Sequence, residues 1–160
     1  MKHGVLLVLM IFGLTAAGWG QDARGGDDLM SGVPFELNKN FGLILIQAEV
    51  NGQPVTLVVD TGASHTSLSS ELLRVRSVAF EHANAPAKGS GFVGNAGWTK
   101  ATLKIGAMTW SNRRVLVMDD FQDLSKSLKQ RVDGIVGEDV LREFDCVAID
   151  FKHHRLVLSR

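Results

Sequence analysis

The sequence predicts an all-β domain with one or two short helices. Two apolar stretches, residues 43–50 and 53–60, flank Asn51-Gly52, the strongest short signal for a β-hairpin. Residues 98–105 alternate between apolar and polar side chains with the period of two that is typical of a strand. With 160 residues, 45% of them hydrophobic, the chain is long enough for one compact domain and short for two.

The remaining elements follow from local patterns. Further strands are predicted at residues 35–37, 108–110, 114–118, 146–151 and 156–159, with turns at 106–107, 111–112 and 152–155. Residues 69–76 can form two helical turns or an extended rim. Phe121, Leu124 and Leu128 have helical spacing, which suggests a surface helix or an ordered loop. Acidic residues at the start of 138–144 favour a third short helix.

Charge and cysteine content exclude several classes of protein. Seventeen basic and seventeen acidic residues balance, so no net field recruits nucleic acid or an anionic membrane. Cys146 is the single cysteine, and no intrachain disulfide can form. Its apolar neighbours predict a small buried hydrophobe.

The N-terminal segment has the pattern of a secretory signal. Residues 1–20 combine a basic start, a short apolar run and small residues at the end, so we expect a cleaved signal peptide, with an uncleaved signal anchor as the alternative. Residues 21–33 are polar and glycine-rich, which suits a flexible leader. The folded domain is then expected at 34–160, in the periplasm or outside the cell, with no stable membrane span after cleavage.

Asp60 is the strongest candidate for a catalytic residue. The apolar strand before it delivers a carboxylate into a turn in which Gly62 permits close backbone approach. A carboxylate in such surroundings needs a partner or a proton. Two of them about 3 Å apart share one proton and can act as base and acid on a bound water. The alternative is an aspartate that caps an ordinary turn after a strand.

Two motifs together resemble retropepsin-like aspartic proteases. Asp60-Thr61-Gly62-Ala63, followed by Thr66 and Leu68, is similar to the active-site loop of that family. Gly134-Ile135-Val136-Gly137, followed by Val140-Leu141, is similar to its second signature, which packs beneath the loop. The resemblance implies a closed, barrel-like β lobe and an aspartic endopeptidase that needs no cofactor.

The resemblance also implies an assembly and a mechanism. One carboxylate motif in a chain of this length predicts a two-fold homodimer, with Asp60 of both copies at the axis. The two side chains would share a proton and activate water against a peptide carbonyl, without an acyl intermediate. Thr61 would steady the pair across the dimer, and Gly62 would hydrogen-bond the backbone of a peptide or protein substrate. A mildly acidic optimum follows.

The substrate groove is expected to involve two segments. Ala63, Ser64 and His65 follow the catalytic motif, and the last two stand where many viral relatives carry acidic residues. Residues 88–97 resemble the flap that closes over the peptide in this family, with Gly91, Phe92 and Val93 at its tip. A plain flexible loop remains the alternative for this glycine-rich stretch.

Other chemistries fit the sequence less well. The G-x-G-x-x-G pattern at residues 89–94 precedes a strand rather than a helix, which argues against a dinucleotide site. Ser64 and His65 are adjacent, so on an extended chain they point to opposite faces and do not suit a nucleophile and base. A hydrolase with a metal on His65, His153 and His154 is a further hypothesis, although no metal site is predicted because their spacing is unlike that of ligands. A non-catalytic binding or regulatory module with the same fold is the main rival.

Overall fold

The computed structural model describes residues 32–75, 81–82, 87–89, 92–94, 96–119 and 121–160. The predicted signal peptide and most of the predicted leader lie outside these residues. The first five strands are β1 (Val33–Leu37), β2 (Ile44–Val50), β3 (Gln53–Val59), β4 (Ser67–Ser69) and β5 (Glu81–His82). The next four are β6 (Ala87–Gly89), β7 (Phe92–Gly94), β8 (Ala96–Ile105) and β9 (Met108–Met118). The last three are β10 (Gly134–Val136), β11 (Cys146–Asp150) and β12 (Arg155–Ser159).

Six strands close into a barrel, which confirms the predicted fold class. Their order around the barrel is β2, β3, β10, β4, β9 and β8, and β8 returns to pair with the far half of β2. The hairpin between β2 and β3 turns at Asn51 and Gly52, as predicted, with φ angles of 50° and 73°. Positive φ at both residues matches the twist of the flanking strands.

The chain ends extend the sheet beyond the barrel. β1 pairs with the first half of β2 on one side and with β12 on the other. β12 pairs in turn with β11, which forms the outer edge of the sheet among the described strands. The predicted C-terminal strand pair is therefore confirmed.

Three short helices accompany the strands: α1 (Ser70–Val75), α2 (Phe121–Leu128) and α3 (Glu138–Leu141). For residues 69–76 the sequence allowed two helical turns or an extended rim, and α1 shows that this segment is helical. α2 covers the outer face of β2 and β3, where Phe121 and Leu128 pack in one cluster with Leu45 and Val58. α3 is shorter than predicted, because the chain turns after Leu141 and brings Phe144 into the main core.

The predicted turn at residues 111–112 is wrong, because β9 is continuous from Met108 to Met118. Leu103 faces Trp110 and Ala101 faces Arg113, so β9 carries one more residue than β8 between these pairs. Asn112 has a φ of 55° there. The extra residue is absorbed as a β-bulge, which keeps the ladder on both sides of it.

Burial explains the apolar runs and corrects one prediction. The side chains of β3 are buried towards both the barrel interior and α2, so Leu57 and Val58 are both buried although they are neighbours. Cys146, in contrast, is exposed rather than buried. It lies on β11, which pairs with β12 alone among the described strands.

The glycine-rich segment forms a hairpin. β6 and β7 pair antiparallel as a separate two-stranded sheet, with Gly89 opposite Phe92. Strand β8 follows this hairpin, as predicted from the alternating pattern of residues 98–105. The tip residue Gly91 lies outside the described residues.

Candidate active site

The loop predicted to be catalytic, called the catalytic loop below, joins two strands that are not neighbours. Residues 60–66 leave β3 and return as β4, and the three-residue strand β10 runs between them. β10 is parallel to β3, with Val136 beside Val59, and antiparallel to β4, with Gly134 beside Leu68. The second sequence motif is thus built into the sheet directly next to the first.

Asp60 stands at the end of β3 with a partly exposed side chain. Its backbone N–H donates to the carbonyl of Val136 at 3.0 Å. One carboxylate oxygen, Oδ1, accepts the N–H of Gly62 at 2.8 Å. An added Cβ at Gly62 would lie 3.2 Å from this same oxygen, so a larger residue would crowd it. Within the described residues no hydrogen bond to Oδ2 is present.

Two glycines let β10 approach the loop. A Cβ at Gly134 would lie 2.2 Å from the backbone oxygen of Ser67, closer than real Cβ contacts allow. A Cβ at Gly137 would lie 2.6 Å from the carbonyl carbon of His65 and 2.7 Å from the oxygen of Ala63. Both positions therefore require glycine for close packing, although neither has a positive φ.

The far end of the loop is held by a buried hydrogen-bond network. Thr66 is 0% exposed, and both its backbone N–H and its hydroxyl donate to Asp139 Oδ1, each at 2.7 Å. The Thr66 hydroxyl oxygen accepts the N–H of Gly137 at 3.1 Å. The N–H of Glu138 donates to the carbonyl of Ala63 at 2.7 Å. α3 is therefore fastened to the loop at two points.

Arg113, on β9, contacts α3 and Glu143, which follows this helix. It contacts the carbonyl of Asp139, lies 3.6 Å from the carboxylate of that residue, and pairs with Glu143. Trp110 donates its indole N–H to Glu143 at 2.7 Å. Burial acts to raise the pKa of Glu143. The hydrogen bonds from Arg113 and Trp110, together with the charges of Arg113 and Arg160, outweigh burial and hold this pKa below its usual value. Glu143 is therefore an ionised anchor near neutral pH.

The structure brings together some of the residues predicted to bind substrate. Thr61, Gly62, Ser64 and His65 are exposed on the loop, and Ala63 is partly exposed. Phe92 and Val93, predicted at the tip of the flap, lie on β7 in one arm of the hairpin. Their roles in substrate binding stay predictions.

The histidines of the metal hypothesis are not brought together. The ring of His65 contacts the indole of Trp98 edge-on. The ring of His154, in the C-terminal turn, stacks on Phe35. His153 forms a hydrogen bond with Asp150 at 2.6 Å. The hydrogen bond from His153 lowers the pKa of the Asp150 carboxyl. No group of three potential ligands occurs among the described residues.

The sequence did not single out Asp139 or Arg113 as parts of the site. Asp139 was predicted only as an acid in the first turn of a helix, although its place two residues after Gly137 in the second motif was an available signal. Arg113 stands in a strand among other basic residues, and nothing local distinguishes it. Its contact with α3 depends on the pairing of β9 with β4.

Together the barrel and the loop define an aspartic-protease type of fold, with one carboxylate loop per chain. Comparison with known proteins gives the same class. The family model described as "gag-polyprotein putative aspartyl protease" matches residues 46–143. The chain belongs to this family of retropepsin-like aspartic proteases.

Three solved structures match the chain at low sequence identity, and one of them has a TM-score above 0.5. A retropepsin-like aspartic protease from Rickettsia conorii is 19% identical, with a TM-score of 0.55 over 79% of this chain and 86% of that one. The EIAV protease in complex with the inhibitor HBY-793 is 20% identical, with a TM-score of 0.48 over 66% and 90%. The retroviral protease-like domain of Ddi1 from Leishmania major is 19% identical, with a TM-score of 0.47 over 72% and 87%. No curated protein matches the sequence.

Proposed function

We propose that this protein is an aspartic endopeptidase that hydrolyses peptide bonds in peptide or protein substrates. The observation that carries the proposal is the state of Asp60. Its carboxylate is partly exposed, oriented by the Gly62 N–H, and set on a loop that β10 and α3 hold in place. A fixed carboxylate with an available oxygen is what water activation requires.

The proposed active unit is a homodimer. A single Asp-Thr-Gly motif supplies one carboxylate, and the second would come from the Asp60 of another copy. The edge strand β11 supports an association of this kind, because its exposed residues include Cys146, Ala148 and Ile149 and carry few charges. An apolar edge with unpaired backbone groups favours pairing with another strand.

In the proposed mechanism, the two Asp60 side chains share one proton and bind a water molecule between them. The ionised carboxylate takes a proton from the water while the water oxygen attacks the carbonyl carbon of the peptide bond. The protonated carboxyl donates its proton to the carbonyl oxygen, which gives a tetrahedral diol and no acyl-enzyme. The diol then collapses as the C–N bond breaks: the first carboxyl gives the proton that it took from water to the leaving amine, and the second takes a proton back from a diol hydroxyl. Because one carboxyl of the pair must be protonated, the pH optimum is mildly acidic. Thr61 is assigned to steady the pair and Gly62 to bind the substrate backbone.

The decisive experiment is digestion of a diverse peptide pool across pH by the wild-type protein and by Asp60→Asn. The variant keeps the size of the side chain and removes the carboxylate, so cleavage is expected to fall by at least about 1000-fold. Mass spectrometry of the products gives the rates. Equal cleavage by the two proteins would refute the peptidase function and favour the rival, a non-catalytic binding or regulatory module.

The dimer has a separate test, the mixing of subunits. If each site needs Asp60 from both copies, a mixed dimer of wild-type and Asp60→Asn chains is inactive. Equal amounts that exchange freely are expected to reduce the activity of a fixed amount of wild-type protein to about half, and excess variant reduces it further. A rate that stays constant as variant is added would contradict the shared site.

We also propose that the protein acts outside the cytoplasm, after cleavage of the segment 1–20. The basic start, the apolar run and the small residues that follow support this location. Among the described residues, none of the helices has the length and apolar character that a bilayer crossing requires. N-terminal sequencing of protein secreted from a bacterial host tests the location, and an intact residue 1 on protein from the membrane fraction would contradict it.

A further inference from the structure

A basic surface borders the catalytic loop. The ring of His65 lies edge-on to the indole of Trp98, with 5.2 Å between the ring centroids. The guanidinium carbon of Arg114 lies 4.1 Å from the centroid of the same indole. Trp98 therefore links a residue of the loop to a cationic residue of β9.

Lys100 adds a second cation to this surface. It lies directly opposite Arg114 in the pairing of β8 with β9, and both side chains are exposed. Like charges directly opposite each other destabilise an antiparallel pair. A bound anion would remove this repulsion. We call Trp98, Lys100, Arg114 and His65 together the basic shelf.

The cations of the basic shelf have no acidic partner in an ion pair among the described residues. Lys104, on the same strand β8, is different because it pairs with Glu49 at 2.8 Å. On the neighbouring helix α3, Asp139 is already engaged with Thr66 and Arg113. Glu138, also on α3, forms no ion pair within the described residues. Within the described residues, no ion pair therefore offsets the positive charge of Lys100 and Arg114.

The basic shelf is held at a fixed place beside the loop that carries Asp60. Leu116, two residues beyond Arg114 on β9, donates its N–H to the carbonyl of Thr66 at 3.0 Å. On the other side of the loop, Gly137 packs directly against the backbone of His65. A substrate that reaches Asp60 along the loop therefore passes close to these cations.

We propose that the basic shelf is a substrate subsite that selects peptides with an acidic side chain near the cleaved bond. The proposal rests on the peptidase function above and adds a substrate class to it. The planar guanidinium of Arg114 can bind a carboxylate with two parallel hydrogen bonds while its face stays on the indole. Lys100 contributes a second charge and His65 a ring nitrogen.

The test uses pairs of peptides that are identical except for glutamate or glutamine at one position, scanned along the four residues on each side of the cleaved bond. At one of these positions, kcat/KM for the glutamate peptide is expected to be about fivefold higher, and the ratio is expected to shrink in high salt. Arg114→Gln is expected to lower cleavage of the glutamate peptide more than that of its glutamine partner, which brings the ratio close to one. Lys104→Gln removes a cation from the same strand outside the basic shelf and is the matched control, with an unchanged ratio.

Binding separates this proposal from the proposed function. In Asp60→Asn the basic shelf is intact, so a fluorescent glutamate peptide is expected to bind about fivefold more tightly than its glutamine partner. Selective binding without cleavage by the wild type would overturn the peptidase function and leave the subsite. Cleavage without any preference for glutamate would overturn the subsite and leave the peptidase.

A third variant, at an acidic residue of the neighbouring strand, is tested with the same pairs of glutamate and glutamine peptides. Glu81, on β5, is opposite Trp98 in the strand register. Glu81→Gln removes the negative charge at this register position and is expected to raise the ratio of glutamate to glutamine cleavage. A ratio that falls in this variant would overturn the assignment of the acid-binding role to the basic shelf.

Discussion

The two ends of the catalytic loop are held in very different ways. At one end Asp60 is partly exposed, and its carboxylate receives one hydrogen bond within the described residues, from Gly62. At the other end Thr66 is fully buried, and Asp139, Gly137 and the pairing of β4 with β9 and β10 hold it. Among the described residues, the Asp60 end of the loop therefore makes fewer hydrogen bonds than the Thr66 end.

This difference separates reactivity from rigidity. A carboxylate that was saturated with internal hydrogen bonds could not bind water or share a proton with a second carboxylate. A loop without a rigid end could not hold that carboxylate in place for a reaction. We therefore expect substitutions at the Thr66 end to affect stability and substitutions at the Asp60 end to affect chemistry.

The largest expected loss of stability is at Gly134. In Gly134→Ala the new methyl group meets the backbone oxygen of Ser67 at 2.2 Å, so β10 must move away from β4. We expect a cost of about 3 kcal/mol in the free energy of unfolding, measured by urea titration. Gly42→Ala is the control, since nothing lies within 4 Å there and only the φ of 67° opposes the change, at about 1 kcal/mol. Equal costs would mean that the close approach at Gly134 is not needed.

A smaller loss is expected at Asp139. Asp139→Ala leaves the N–H and hydroxyl of Thr66 without their acceptor and costs about 2–3 kcal/mol in the same titration. Asp139→Asn keeps an acceptor oxygen and is expected to cost less. The exposed Asp123 serves as a surface control, because Asp123→Ala breaks only the pair with Lys126 and changes stability by less than about 0.5 kcal/mol. A loss no larger at Asp139 than at Asp123 would remove the distinction between the two ends of the loop.

A fall in pH is expected to weaken the interactions of Glu143 with Arg113 and Trp110, next to α3. The pKa of Glu143 is lower in the folded protein than in the unfolded chain, so its ionised form contributes stability above the unfolded value of about 4.5. That contribution disappears as the pH falls through the folded pKa. Glu143 is partly exposed, so solvent screening limits the effect to less than about 1 kcal/mol. Between pH 7 and pH 3, the melting temperature of the wild type should fall more than that of Glu143→Gln, and parallel curves would contradict this account.

The smallest expected change in stability is at Asp60. Asp60→Asn removes a charge but keeps a side-chain oxygen that can accept the Gly62 N–H. We expect a loss of unfolding free energy below about 0.5 kcal/mol, although the same variant is expected to lose its peptidase activity. Thermal melts beside the activity assay test this pairing. A large loss of stability would show that Asp60 also serves the fold.

Asp60 could be predicted as a site residue because the residues that point to it are contiguous in the sequence. Asp60, Gly62 and the apolar strand before them are contiguous, and so are Gly134 and Gly137 with the apolar pair between them. The hairpin at Asn51 and Gly52 is local too, because two residues determine the turn geometry. The burial of Cys146 was wrongly predicted, since an apolar strand pattern does not show whether a neighbouring strand covers it.

The sequence by itself determined the class of the domain and predicted the catalytic carboxylate and the two motifs that surround it. Only the tertiary structure decided what supports them, namely the contacts of Thr66 with Asp139, of Arg113 with α3, and of Trp98 with His65 and Arg114. The physical reason is the distance along the chain. Thr66 and Asp139 are 73 residues apart, and closure of the barrel brings them together, which no local pattern of residues encodes.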